Sequence, residues 1–113
     1  MPLDAQLVLC TCPDESSAKQ LAKLLLEARL AACVNVIPGV QSFYHWQGEL
    51  AQASEWQLVI KSRASLFEPL RQCLRAAHPY EVPEILALSI SQMDADYLAW
   101  LHAETRAEAA DAR

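Results

Sequence analysis

Gln6-Leu7-Val8-Leu9-Cys10-Thr11-Cys12-Pro13-Asp14-Glu15 is the stretch that decides the fold class. Leu7, Leu9 and Thr11 alternate with Val8, Cys10 and Cys12, so both faces are apolar or β-branched, and the run predicts a central strand covered on both sides. Pro13 stops the strand. Asp14 is placed to cap a helix whose first turn carries Glu15 at the positive end of the dipole. Beyond it, Ala18, Leu21, Ala22, Leu25 and Ala28 recur at intervals of three and four, which predicts a helix over 15–30 with one apolar face.

Working outward, Cys33, Val34, Val36, Ile37, Val40, Phe43, Tyr44 and Trp46 have strand composition, broken at Pro38-Gly39, which marks a bulge or bend near a sheet edge. Gln47-Gly48 is a turn signal, and Trp56, Leu58 and Ile60 alternate with Gln57, Val59 and Lys61 to complete a hairpin. Ser65-Leu66-Phe67-Glu68 matches a capping box, followed by the stripe Phe67, Leu70, Leu74, Ala77. Two prolines keep His78-Pro79-Tyr80-Glu81-Val82-Pro83-Glu84 extended. The segment 85–90 reads as a further strand, and Ser91 or Asp94 can cap a closing helix through about His102. The order strand, helix, strand, strand, helix, strand, helix fits an α+β, ferredoxin-like βαββαβ chain with a C-terminal helix, a two-layer sandwich of helices on one face of a four-stranded antiparallel sheet.

The chain has 113 residues, 53% hydrophobic and 20% charged, enough for one domain (core about 6–103, tail 104–113) and incompatible with disorder. Two-layer geometry leaves one sheet face open, and with this apolar content the expectation is an obligate oligomer. The net charge of −5 and scattered basic residues argue against nucleic-acid binding. Only two glycines, Gly39 and Gly48, are present, too far apart for a phosphate-cradling loop. The longest apolar run, from Leu30 to Val34, is far short of the roughly 20 residues that span a bilayer. Met1-Pro2-Leu3-Asp4 lacks the features of a signal peptide, so the expected location is the cytoplasm, where thiols stay reduced.

Three groups of residues invite chemistry. Cys10 and Cys12 lie at i and i+2, on one strand face, where soft thiolates suit copper(I) or zinc, but free cysteines are also among the most buried residue types; Cys12, Cys33 and Cys73 are assigned to packing. His78 with Tyr80, Glu81 and Glu84 is the densest polar group and sits on a stiff loop. Imidazole and carboxylate there can bind a divalent metal or move protons, while the plainer reading is a histidine at a helix C-terminus. Phe43-Tyr44-His45-Trp46 concentrates aromatics without interleaved basic residues, which favours a core or subunit interface over a nucleic-acid platform. His102 is expected to be solvated. No nucleophile elbow or oxyanion motif accompanies these groups, so no catalytic residue is assigned.

Leu9-Cys10-Thr11-Cys12-Pro13-Asp14-Glu15, Leu30-Ala31-Ala32-Cys33-Val34-Asn35-Val36-Ile37-Pro38-Gly39-Val40, His78-Pro79-Tyr80-Glu81-Val82-Pro83-Glu84-Ile85 and Asp96-Tyr97-Leu98-Ala99-Trp100-Leu101 together resemble the CutA divalent-cation tolerance family. The resemblance implies a homotrimer, similar in architecture to the PII signalling proteins, that binds a divalent cation, copper in particular, and serves metal tolerance. It carries the ligand roles onto Cys10 and His78, with Ala77 where the family has a first histidine, and leaves Tyr80, Glu81 and Glu84 as additional ligand or cleft candidates. The alternative is a signalling or scaffold trimer that binds a small ligand or a protein partner in its inter-subunit cleft.

Overall fold

The structure, a computed structural model, describes residues 3–107. Its elements are β1 (Gln6–Cys12), α1 (Glu15–Glu27), β2 (Cys33–Trp46), β3 (Glu49–Ser62), a single 3-10 turn (Ala64–Leu66), α2 (Phe67–Ala77), β4 (Leu86–Ser89) and α3 (Ala95–Glu104). Four strands form one antiparallel sheet in the order β2-β3-β1-β4. Among the described residues no helix is long and apolar enough to cross a membrane.

The pleat sends alternate residues of β1 to opposite faces. Val8, Cys10 and Cys12 point to the helices, where they meet Leu21 and Leu25 of α1, Leu58 and Ile60 of β3, and Leu70 and Leu74 of α2 in the core. Leu7 and Leu9, on the other face, are only half-buried. The expectation of a strand covered on both sides therefore holds on one side: β1 is central, but α1 and α2 supply a lid for one face only.

The hairpin outgrows the body. Residues 56–62 of β3 pair with β1, and 57–61 with β2 as well, whereas 49–55 pair with β2 alone, so the outer half is a two-stranded arm. At its root the register shifts between Ile37 and Val40, with Gly39 at φ 77°, the bulge that Pro38-Gly39 predicted on an edge strand. At its tip Gln47 and Gly48 both have positive φ, 52° and 82°, as a two-residue type I′ turn requires.

Helix ends account for most departures from the sequence reading. Asp14 caps α1 as expected, accepting the Ser17 N–H at 2.8 Å. That helix stops at Glu27 rather than near residue 30 because Arg29 turns left-handed (φ 58°). The Leu30 N–H then reaches the Leu25 carbonyl and the Arg29 N–H the Leu26 carbonyl, a Schellman closure without its usual glycine. The capping box expected over 65–68 does not form. Ser65 instead gives both its N–H and its hydroxyl to the Asp4 carboxylate, at 2.8 Å each, and Glu68 pairs with Arg71. The cap thus comes from 61 residues away in sequence.

β4 is shorter than the expected 85–90, and its exposed Leu86 and Leu88 lie on the uncovered sheet face. Asp94 caps α3. The tail begins docked rather than free: Thr105 is buried and receives Arg63 Nε at 2.9 Å, while the Arg106 N–H donates to the Arg29 carbonyl. Residues 108–113 of the tail lie outside the described residues. His102 is tied down too, its Nε2 2.9 Å from the Asp4 carbonyl, in place of the solvated role expected of it.

Candidate functional site

Strand geometry brings the first two candidate ligands together. Cys10 and Cys12 share the inner face of β1 and have no solvent exposure. His78 arrives from the opposite layer: it closes α2, its N–H bonding the Leu74 carbonyl at 2.9 Å, and extended backbone there swings the imidazole inward. The ring sits with Nε2 2.8 Å from the Thr11 carbonyl, and Nδ1 accepts the Tyr80 N–H at 3.0 Å. That pattern assigns the proton to Nε2. The two sulfurs and a ring nitrogen of His78 all lie within 4.8 Å of one another.

Two ligand atoms about 2.3 Å from a tetrahedral ion stand about 3.8 Å apart, so this spacing suits a single ion. Two thiols and an imidazole form a soft set, suited to copper or zinc rather than to magnesium or calcium. Cys12 is the member that sequence reading assigned to packing. The signal for it was present in the i, i+2 spacing, but only the arrival of His78 turns a packed pair into a three-donor cluster. Its partners also shape the protonation. Hydrogen bonding with Cys12, then burial, then the carboxylates of Glu84 and Glu55 push the Cys10 thiol far above the ordinary thiol range. The same hydrogen bond draws Cys12 down. The Cys10 thiol, held protonated in this way, must lose its proton before an ion can bind it.

The other two cysteines lie elsewhere. Cys73 packs at the edge of the core, and Cys33 lies 3.8 Å from Lys61 Nζ on β3. All four are free.

Tyr80, Glu81 and Glu84 do not join the thiol cluster. They line an adjoining cleft of about 610 Å³, with Thr11 and Val82 on the body, Glu55 at the root of the arm, and Ser42, Phe43, Tyr44 and Trp46 farther along it. The aromatic run therefore forms no part of the protomer core, since Phe43 is 65% exposed. Glu55, which sequence reading passed over, is 5% exposed and accepts the Tyr80 hydroxyl at 2.6 Å. Burial and this bond raise the Tyr80 pKa. A lone glutamate in an amphipathic strand carries no sequence signal for burial; the fold of the 78–84 loop over it supplies the reason.

Comparison with known proteins agrees with this geometry. Residues 6–104 match the family model described as CutA1 divalent ion tolerance protein. The chain is 50% identical over 103 residues to the divalent-cation tolerance protein CutA of Pectobacterium atrosepticum, covering 91% of this chain and 94% of that one. It is 46% identical over 99 residues to the protein of the same name from Escherichia coli O139:H28, covering 88% of each. The structure of the divalent cation tolerance protein Cut A1 from Thermus thermophilus superposes with a TM-score of 0.87 at 45% identity, over 90% of this chain and 99% of that one. Family match, identity and fold coincide over nearly the whole described chain, which belongs to the CutA1 family of divalent ion tolerance proteins.

Proposed function

We propose that this protein is a cytoplasmic homotrimer of ferredoxin-like protomers that binds copper through Cys10 and His78, with Cys12 as a third donor, in metal tolerance and homeostasis. The observation that carries the reading is the convergence of two buried thiols and one imidazole within 4.8 Å. The sheet order and the two helices on one face support the ferredoxin-like reading. Leu86, Leu88 and Ile37, each more than two-fifths exposed, support burial of the open face between copies. Four free cysteines suit a reducing compartment.

In this proposal the thiols of Cys10 and Cys12 release their protons to solvent as the ion binds, and His78 turns one ring nitrogen toward it. That nitrogen leaves either the Thr11 carbonyl or the Tyr80 N–H. Bound copper would join β1 to the end of α2, two elements linked at this point by the bond between His78 and the Thr11 carbonyl.

Titration of the metal-free, reduced protein with copper tests the site. Saturation at one ion per chain is expected, with affinity lower by roughly 10–100-fold in Cys10→Ser and in His78→Ala. Affinity should also fall as pH drops, because every donor must be unprotonated to bind. Equal affinity in the wild type and both variants would remove Cys10 and His78 from the site. A second reading, a cleft that receives a small ligand, is favoured by the 610 Å³ space beside Tyr80.

A further inference from the structure

We infer that the cleft between the arm and the 78–84 loop binds a small organic cation, an alkylammonium group seated on aromatic faces and paired with Glu55. This rests on the small-ligand reading above and names its ligand class. Tyr44 and Trp46, two residues apart on one face of the arm, line one side, and Glu55, Glu81 and Glu84 line the same space. Among the described residues, no lysine, arginine or histidine lines the space.

Glu55 carries the argument. Its residue is 5% exposed, yet among the described residues it makes no ion pair, and its hydrogen bond is the one from the Tyr80 hydroxyl to Oε2. Oε1 has no hydrogen-bond partner among the described residues. A largely buried carboxylate without a basic partner favours a cation that enters the cleft beside it. Rings beside the charge attract the same ligand, because their negative faces favour a desolvated ammonium group.

The lining also discriminates between ligand classes. An anion would meet three carboxylates and no base. A bare metal ion needs its donors close together, and among the described residues the one cluster of three such groups within 4.8 Å is Cys10, Cys12 and His78. The carboxylates of the cleft are spread around a space of about 610 Å³, large enough for an organic group.

The test uses the intact protein, in whatever assembly it forms, with choline as the probe. Its uncharged carbon isostere, in which a tert-butyl group replaces trimethylammonium, serves as the control at matched ionic strength. Calorimetry or ligand-observed NMR should show saturable binding of choline, with the isostere about tenfold weaker or more. Glu55→Gln keeps an acceptor for the Tyr80 hydroxyl and should abolish most of that preference while leaving the fold, read by circular dichroism, unchanged. Trp46→Leu, on the exposed arm, should weaken choline severalfold. Equal binding of the two probes would overturn the cationic class and leave the small-ligand cleft standing. Binding of neither would overturn both, and a full choline preference in Glu55→Gln would overturn the pairing.

Discussion

The two faces of β1 differ more than any two elements of the molecule. On the inner face Val8, Cys10 and Cys12 are completely enclosed by α1, α2 and β3; one residue along, Leu7 and Leu9 meet no second layer, and beyond Glu55 the hairpin continues with neither face covered. One strand thus belongs to a finished core and to an unfinished surface. A two-stranded ribbon is marginal in water by itself, and the arm exposes Phe43, Trp46 and Leu50. The private face holds the thiol cluster, and the uncovered side holds the cleft.

The largest effect expected from this contrast lies in a matched pair on β3. Leu58 has no exposure and Leu50 is 72% exposed. Leu58→Ala removes core contacts and leaves a cavity, costing about 2–5 kcal/mol in denaturant unfolding. Leu50→Lys removes nothing from the protomer core, and its circular dichroism should match the wild type. The assembly should respond instead: light scattering at micromolar concentration should give three chains for the wild type and a lower mass for Leu50→Lys. An unchanged mass in the variant would exclude the arm tip from the interface. A wild-type mass of one chain would sink the trimer.

The same contrast explains what could be read from the sequence. Alternation in 6–12, the three-and-four spacing of α1 and α2, and the Gln47-Gly48 turn reflect local rules that a single chain obeys, and those elements lie where they were expected. Cys10 and His78 are candidates as a pair through the resemblance alone, and the fold brings them close. Helix ends were harder because the partners are distant. Asp4 takes the place of a local cap for Ser65, and an arginine occupies the left-handed position where glycine usually marks a helix end. Cys12 and Glu55 were missed for the same reason: each looks ordinary in its strand, and each becomes unusual only when the loop after α2 crosses above β1 and β3.

A medium effect is expected where that loop meets the root of the arm. The Tyr80 hydroxyl bonds Glu55 at 2.6 Å, joining the 78–84 loop to the last pair of the arm, Val40 and Glu55. Tyr80→Phe removes the donor and leaves the carboxylate without a partner, a loss of about 1–2 kcal/mol at neutral pH. The sign at high pH follows from the raised Tyr80 pKa. The folded state favours the neutral phenol, so the contribution is fully present below the unfolded value, about 10, and fades as pH rises from there through the higher folded value. Chemical denaturation across roughly pH 8 to about 11 should therefore show wild type and Tyr80→Phe converging at the alkaline end. Parallel curves would show that the bond does not couple to ionisation.

The smallest effect concerns the end of α1, on the finished side of the molecule. Arg29 occupies φ 58°, a region that costs a residue with a Cβ about 1 kcal/mol more than glycine. Its guanidinium also reaches Glu104 at 3.1 Å, an exposed pair of the kind measured at roughly 0–1 kcal/mol, and its carbonyl takes the Arg106 N–H in any variant. Arg29→Gly relieves the backbone and removes the ion pair. The two changes oppose one another, and glycine also gives the unfolded chain more freedom to lose. The net shift should lie within about 0.5 kcal/mol at low salt. Raising the salt weakens the ion pair in the wild type alone, so the balance should move toward the glycine variant. A loss above about 2 kcal/mol would mean that the Arg29–Glu104 pair holds α3 and the docked tail far more strongly than an exposed ion pair does.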